Sequence, residues 1–292
     1  MRRGEPWVRA FPPTLDEHMF DESEAEAPAW LAGLNDRQRD AVLFGEGPLL
    51  VIAGAGSGKT RALASRVARL VDEGVPAERI LLLTFTRRAA AEMLRRSGAL
   101  ISNRSVGNVW GGTFHAVGNR LLRQYGAAVG LQDGFTVIDQ ADSASLFGML
   151  RNELGYAGTK QRFPKKETIA AVYSRTVNAQ TPLTETVEDR FPWVAEHVDA
   201  LRDLFRAYTA RKKEHNVVDY DDLLLYWNAL LESPTGGTVR KLFDHVLVDE
   251  YQDTNRSQAE ILRSLCGPDG NLTVVGDDAQ AIYSFRGATV RN

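Results

Sequence analysis

A single cysteine, Cys266, leaves the chain no intramolecular disulfide, and an isolated thiol of this kind reads as a small buried hydrophobe in a reducing compartment. Nor is there a run approaching the roughly 20 apolar residues that a membrane span needs, and the positive start at Arg2 and Arg3 has no apolar stretch of signal-peptide length behind it. The expectation is a cytoplasmic protein with no membrane partner. Basic excess is missing as well, since the formal net charge is −3. Residues 1–33 alone carry seven acids (Glu5, Asp16, Glu17, Asp21, Glu22, Glu24, Glu26) against Arg2, Arg3 and Arg9, so the remainder is close to neutral. A general electrostatic footprint for nucleic acid is thereby excluded, and any such contact must come from local clusters and stacking. Lysine is scarce, seven of 35 basic residues, a bias that reads as codon usage.

What is present is the composition of a globular chain: 292 residues, 43% hydrophobic and 25% charged, enough to bury a sizeable core in one large domain or two smaller ones. Residues 1–33, rich in proline and acids, read as a disordered or loosely docked extension. Asn35 is placed to cap a helix through Phe44, and Gly45 and Gly47 stop that helix before the apolar run Leu49-Leu50-Val51-Ile52. Runs of the same kind lie at Ile80 to Leu83, Phe135 to Ile138, Val246 to Val248 and Leu272 to Val275. Each is short, and helical patterns separate most of them, which predicts a parallel α/β sheet. Between about 141 and 215 the strand signal disappears and helical spacing takes over, as in Val198 to Lys213. The expected organisation is a discontinuous α/β domain, 34–140 and 216–292, with an all-helical insertion at 141–215.

Three segments carry candidate chemistry. Ala53-Gly54-Ala55-Gly56-Ser57-Gly58-Lys59-Thr60 follows a strand and opens a helix, the context of a phosphate-binding loop. Its glycines let backbone N–H groups face phosphates, Lys59 reaches the β- and γ-phosphates, and the Thr60 hydroxyl ligates Mg²⁺. Ala53 stands where the strict pattern has glycine, and a glycine-rich turn with an exposed lysine is the alternative. Asp249 and Glu250 end the hydrophobic run from Val246, where open α/β sheets bind ligands. Downstream of a phosphate loop, the Asp reads as a Mg²⁺ ligand and the Glu as the group that orients and deprotonates the attacking water; a solvated strand end is the bland reading. Beyond Val275 come Gly276, Asp277, Gln280, Tyr283 and Arg286, where a Gln and an Arg would sense the γ-phosphate, or simply form a polar loop.

Together these motifs resemble the superfamily 1 DNA helicases of the UvrD/Rep/PcrA type, from Leu34 to the last residue. LNDRQRDAV resembles the adenine-reading Q motif, with Gln38 on the base and Arg61 packed against it. LLLTFTRRAAAEM resembles motif Ia, implying single-stranded DNA contacts from Phe85, Thr86 and Arg87, and GGTFHA resembles motif Ib, implying Thr113 and His115 near the DNA backbone. NVVDYDDLL resembles the segment that re-enters the first motor domain. VDEYQDTN and GDDAQAIYSFRGA are similar to motifs II and III, which makes Tyr283 and Phe285 candidates for base stacking. Arg87-Arg88 replaces the usual Asn-Lys, and Phe285 stands where Trp is frequent. Core packing for both aromatics and a structural role for His115 remain open readings.

The resemblance implies a RecA-like P-loop domain, 1A, with the helical insertion as domain 1B facing the duplex. It implies ATP and Mg²⁺ as cofactors, single-stranded DNA and its junctions with duplex as partners, 3′→5′ movement, and a role in repair or replication. Lys160, Arg162, Lys165, Lys166 and Arg211, Lys212, Lys213 are candidate phosphate contacts on the insertion, or solvated helix faces. Because the chain ends soon after motif III, the second RecA-like domain and its arginine fingers are expected to be missing, and the chain alone to be a weak or inactive ATPase. Two alternatives stand: a non-motor module binding ATP or single strands, and an unrelated P-loop NTPase.

Overall fold

The computed structural model describes residues 27–101, 104–158 and 163–277. Among these residues the strands are β1 (Leu49–Ile52), β2 (Ile80–Leu83), β3 (Trp110–Gly112), β4 (Thr136–Val137), β5 (Val217–Val218), β6 (His245–Val248) and β7 (Asn271–Gly276). The helices are α1 (Asp36–Leu43), α2 (Lys59–Asp72), α3 (Arg87–Ala99), α4 (Phe114–Tyr125), α5 (Gln140–Glu153), α6 (Lys166–Ala179), α7 (Leu183–Arg190), α8 (Val198–Glu214), α9 (Tyr220–Glu232), α10 (Gly236–Arg240) and α11 (Arg256–Cys266). They form two compact units, one containing the chain up to Phe114, Arg240–Gln252 and the segment from Cys266, the other His115–Val239 and Asp253–Leu265.

The first unit holds a five-stranded parallel sheet in the order β1-β7-β6-β2-β3. Every residue of β2 and of β6 is buried, the pattern of strands covered on both faces. Leu63, Val67 and Leu70 of α2 pack with Ile80 and Leu82 of β2, Met93 of α3, Leu247 and Val275 in one core. Strand β3 is absent from the sequence expectation because Trp110-Gly111-Gly112 is not an apolar run. Gly111 lets α3 pack closely there, since a Cβ on it would lie 2.6 Å from the Leu94 side chain and displace it.

Helix α1 is fastened at both ends. Asn35 and Gln38 form a reciprocal capping box at its start, as the sequence predicts. At its end, the buried Arg66 guanidinium donates to the carbonyls of Ala41 (3.1 Å), Val42 (3.2 Å), Phe44 (2.6 Å) and Gly45 (3.1 Å), and Arg69 adds bonds to Val42 and Phe44. These carbonyls have no partner within the helix, and a cation at a helix C-terminus also complements its dipole. Burial pushes the Arg66 pKa down to about 10, which leaves the group charged at neutral pH.

The extension expected over 1–33 is corrected at its end. Ala29–Leu31 is a turn of 3₁₀ helix, and Trp30 is buried against Leu34, Val42, Ala62 and Ala68, its indole N–H bonded to Asp72 at 2.9 Å. An aromatic that can bury its ring and satisfy its N–H overrides the polar composition around it. Residues 1–26 lie outside the described residues.

The second unit contains the helices expected between 141 and 215, here α5 to α8, around Phe147, Ile169, Val172, Leu201, Leu204 and Tyr208. Compactness divides the chain further out than the expected boundaries, because α4 and α9 belong with these helices; Gly118 lets Trp227 and the Leu223 carbonyl approach within about van der Waals contact. Residues 136–137, expected in the main sheet, instead pair with β5 as a separate two-stranded ribbon at the two ends of the helical excursion.

Lys212 is also corrected. It is buried, not displayed for phosphate: Nζ bonds Asp219 and Asp222 at 2.6 Å each and lies 4.4 Å from the Tyr208 ring centroid. Asp219 caps α9 in a second capping box with Asp222 and accepts from the Tyr208 hydroxyl at 2.7 Å. Arg211 pairs with Glu153 and Glu214, and Lys160 and Arg162 lie outside the described residues. Removing one partner of such a buried group leaves uncompensated charge, so Lys212→Met should cost about 3–5 kcal/mol in urea unfolding, whereas exposed Lys213→Met should change stability by less than about 0.5 kcal/mol.

Candidate active site

Parallel register brings the carboxyl ends of the strands to one edge. Ile52 stands beside Gly276, Val248 beside both Val274 and Leu83, and Leu83 beside Gly112. The ladder continues one residue further through Ala53 N–H to Gly276 O (3.0 Å), Asp249 N–H to Leu83 O (2.9 Å) and Thr84 N–H to Gly112 O (3.0 Å). The phosphate loop, Asp277, Asp249, Phe85 and Thr113 therefore leave neighbouring strands of one sheet in that order.

The loop from Ala53 to Thr60 has the turn its glycines predict. Gly56 and Gly58 take φ of +73° and +83°, and Gly58 caps α2 in the left-handed region, which favours residues without a Cβ. Gly58 has a second constraint, because a Cβ there would lie 2.5 Å from the Gln38 carboxamide. Gln38 donates from Nε2 to Ser57 O at 2.7 Å while its Oε1 accepts from Asn35 N–H. One donor hydrogen and one lone pair of that carboxamide are left for a base. Arg61 projects from the first turn of α2 and bonds Ala32 O at 2.9 Å, over Gly33.

Lys59 is drawn inward. Its Nζ donates to the carbonyls of Ala53 (2.8 Å) and Gly54 (3.2 Å) and lies 3.7 Å from Asp277 Oδ2, both side chains being less than a tenth accessible. Asp249 at the end of β6 is buried, and its Oδ1 has no hydrogen-bond partner. Burial, then the neighbouring Glu250 carboxylate, push its pKa up to about 6. Glu250 itself takes a left-handed φ of +52°, an unusual conformation for a residue with a Cβ. Its Oε2 accepts from Gln252 Nε2 at 2.6 Å, and Gln252 Oε1 accepts from Asp277 N–H at 3.0 Å. The sequence motifs by themselves assign no role to Gln252 or Asp277. A Gln two residues after a DE pair is a visible signal only once Gly276 is known to lie beside it.

The candidate DNA contacts divide between the units. Phe85 is exposed after β2; Thr86 caps α3 by accepting from Ala89 N–H at 3.1 Å; Arg87 is exposed on the first turn of α3, and Thr113 follows β3. His115 belongs to the second unit, its ring edge-on to that of the exposed Tyr220 with centroids 5.6 Å apart. Gln280, Tyr283, Phe285 and Arg286 lie outside the described residues. Cys266 touches none of this chemistry, and burial pushes its thiol up to about 12. No helix among the described residues is long and apolar enough to cross a membrane.

Comparison with known proteins identifies relatives of this chain. The chain is 40% identical to an ATP-dependent DNA helicase PcrA of Leuconostoc citreum over 265 residues, covering 89% of this chain and 34% of that protein. It is 35% identical to an ATP-dependent DNA helicase UvrD1 of Mycobacterium leprae, covering 92% and 36%, and 38% identical to the UvrD1 of Mycobacterium tuberculosis, covering 90% and 35%. The chain thus spans about a third of the length of these relatives, corresponding to their N-terminal part. The profile of the UvrD/REP helicase N-terminal domain matches residues 34–292. That match takes in all five strands of the sheet and both sets of helices, and the chain belongs to the UvrD/REP helicase N-terminal domain family.

Proposed function

We propose that the sheet unit binds ATP with Mg²⁺ and hydrolyses it, as the first motor domain of a helicase that moves 3′→5′ along single-stranded DNA and acts at its junctions with duplex. The observation that carries the nucleotide assignment is the buried, unpartnered Oδ1 of Asp249 on the strand edge beside a phosphate loop. A carboxylate in that position is expensive unless a cation meets it. The residues fit Mg²⁺: Asp249 and the Thr60 hydroxyl would hold it, and the described residues offer no cluster of three or more His, Cys, Asp or Glu, as suits a metal that keeps waters and phosphates in its shell. Bound there, the metal would neutralise charge on the β- and γ-phosphates.

The chain's own groups supply the rest. Backbone N–H groups of the loop and the start of α2 receive the phosphates, and Lys59 exchanges Ala53 O, Gly54 O and Asp277 for phosphate oxygens. Glu250 accepts a proton from the attacking water. Gln38 and Arg61 flank the loop on the side from which a base would approach. Membership in the family supports roles for Gln280 and Arg286 as γ-phosphate sensors, for Tyr283 and Phe285 in base stacking, and for a second RecA-like domain closing the site. Within the first unit, Phe85, Thr86, Arg87 and Thr113 supply aromatic and polar surface for a strand, compensating for the lack of overall positive charge; family membership supports a DNA contact from His115. Repair or replication is the setting in which such a motor acts.

In the complete protein that carries this chain, Lys59→Ala should lower DNA-stimulated ATP hydrolysis by about 10²–10³-fold, and unchanged turnover would remove the assignment. Acid should act through Asp249. Its folded pKa is raised to about 6, so the metal-binding carboxylate is lost as pH falls through that value. Titration of Mg²⁺-dependent nucleotide binding should show affinity falling about tenfold per pH unit below about 6, with little change above pH 7.

A further inference from the structure

Glu250 takes a backbone conformation that an L residue does not favour, and Gln252 bonds its carboxylate. The left-handed φ of +52° at Glu250 carries a steric cost for an L residue, so the surroundings must determine it. Gln252 lies in the 3₁₀ turn Tyr251–Asp253, with its side chain buried. Nε2 donates to Glu250 Oε2 at 2.6 Å, and Oε1 accepts from Asp277 N–H at 3.0 Å. The side chain therefore ties the carboxylate that ends one strand to the backbone that leaves the next, where Asp277 faces Lys59 at 3.7 Å. Gly276 leaves room for this contact, since a Cβ on it would lie 3.0 Å from Gln252 Oε1 and press on the side chain.

A carboxamide offers a donor and an acceptor from one planar head. Glu would present two acceptors to the Glu250 carboxylate, Lys only donors, and Leu neither. We infer that Gln252 is the positioning residue for the Glu250 base: it clamps Oε2 and so directs the other carboxylate oxygen, Oε1, to the attacking water. The inference rests on the ATP-hydrolysis reading. In the step it serves, the water oxygen bonds to the γ-phosphorus and the water proton passes to Glu250. The bond from that phosphorus to the β–γ bridging oxygen breaks, and ADP leaves with the electron pair.

The test uses Q252E, which keeps the acceptor for Asp277 N–H and loses the donor, and Q252L, which loses both, in the complete protein with single-stranded DNA and Mg²⁺-ATP. Losing a group that orients a catalytic residue lowers activity by about 10–100-fold. Both variants should show that loss in kcat, measured at a temperature where circular dichroism shows them folded, while KM for ATP stays at the parent's value. Adding Q252L to E250A should cost nothing further, because Gln252 acts through Glu250. Parent-like kcat in Q252E and Q252L, a loss carried by KM, or a further loss in the double variant would each overturn the inference. Absence of ATP turnover in the parent would overturn the ATP-hydrolysis reading and this inference with it, whereas parent turnover alongside unaffected Gln252 variants overturns the inference alone.

Discussion

Strands β2 and β6, buried along their whole length and hydrogen-bonded to each other in parallel register, are what the rest of the first unit depends on. Helices must cover both faces of such a pair, and parallel strands must be joined by crossovers, so each chain segment returns to the sheet from the same end. The consequence is chemical as well as architectural. Loops leaving β1, β7, β6, β2 and β3 meet at one edge, and residues as far apart in the chain as Ala53 and Gly276 become hydrogen-bonded neighbours. A change of register by one residue would move Asp249 to the opposite face of the sheet.

The two units treat buried charge in opposite ways. In the second, Lys212 is enclosed by Asp219, Asp222 and two tyrosines, and the helix cap of α9 is part of the same network. That group is satisfied internally and holds the chain where it leaves α8. In the first, Asp249 is buried with an oxygen left over, and Lys59 rests on loop carbonyls and on Asp277. Of these two arrangements only the first unit's leaves polar capacity unspent, in the unpaired Asp249 oxygen and in a lysine held by loop carbonyls, and that capacity is what the proposed function uses.

Much of this was legible residue by residue. Four of the five expected apolar runs became strands of the main sheet, the helix capped by Asn35 formed as expected, and the phosphate loop with its left-handed glycines followed a strand and opened a helix. These features are local: they depend on hydrophobic period, capping chemistry and glycine placement within a few residues. Trp110-Gly111-Gly112 escaped because a glycine strand has no hydrophobic signature, and Phe135 to Ile138 was assigned to the wrong sheet because a short apolar run does not name its partner. Composition alone leaves the segment of Trp30 as a disordered or loosely docked extension, because it averages over the one residue that finds a pocket.

By itself the sequence determined a glycine-rich loop ending in Lys59 between a strand and a helix, the DE carboxylates and the family these motifs resemble, since motifs of contiguous residues survive without coordinates. Tertiary structure alone decided which polar groups are spent and which are left. Lys212 and Lys213 are adjacent and chemically identical, yet one is enclosed by two aspartates and the other faces solvent. Gln252 acquires meaning only from the 3.0 Å bond to Asp277 and from the glycine that makes room for it. Burial and hydrogen-bond partnership are properties of segments brought together from distant parts of the chain, and those pairings are set by packing and sheet order.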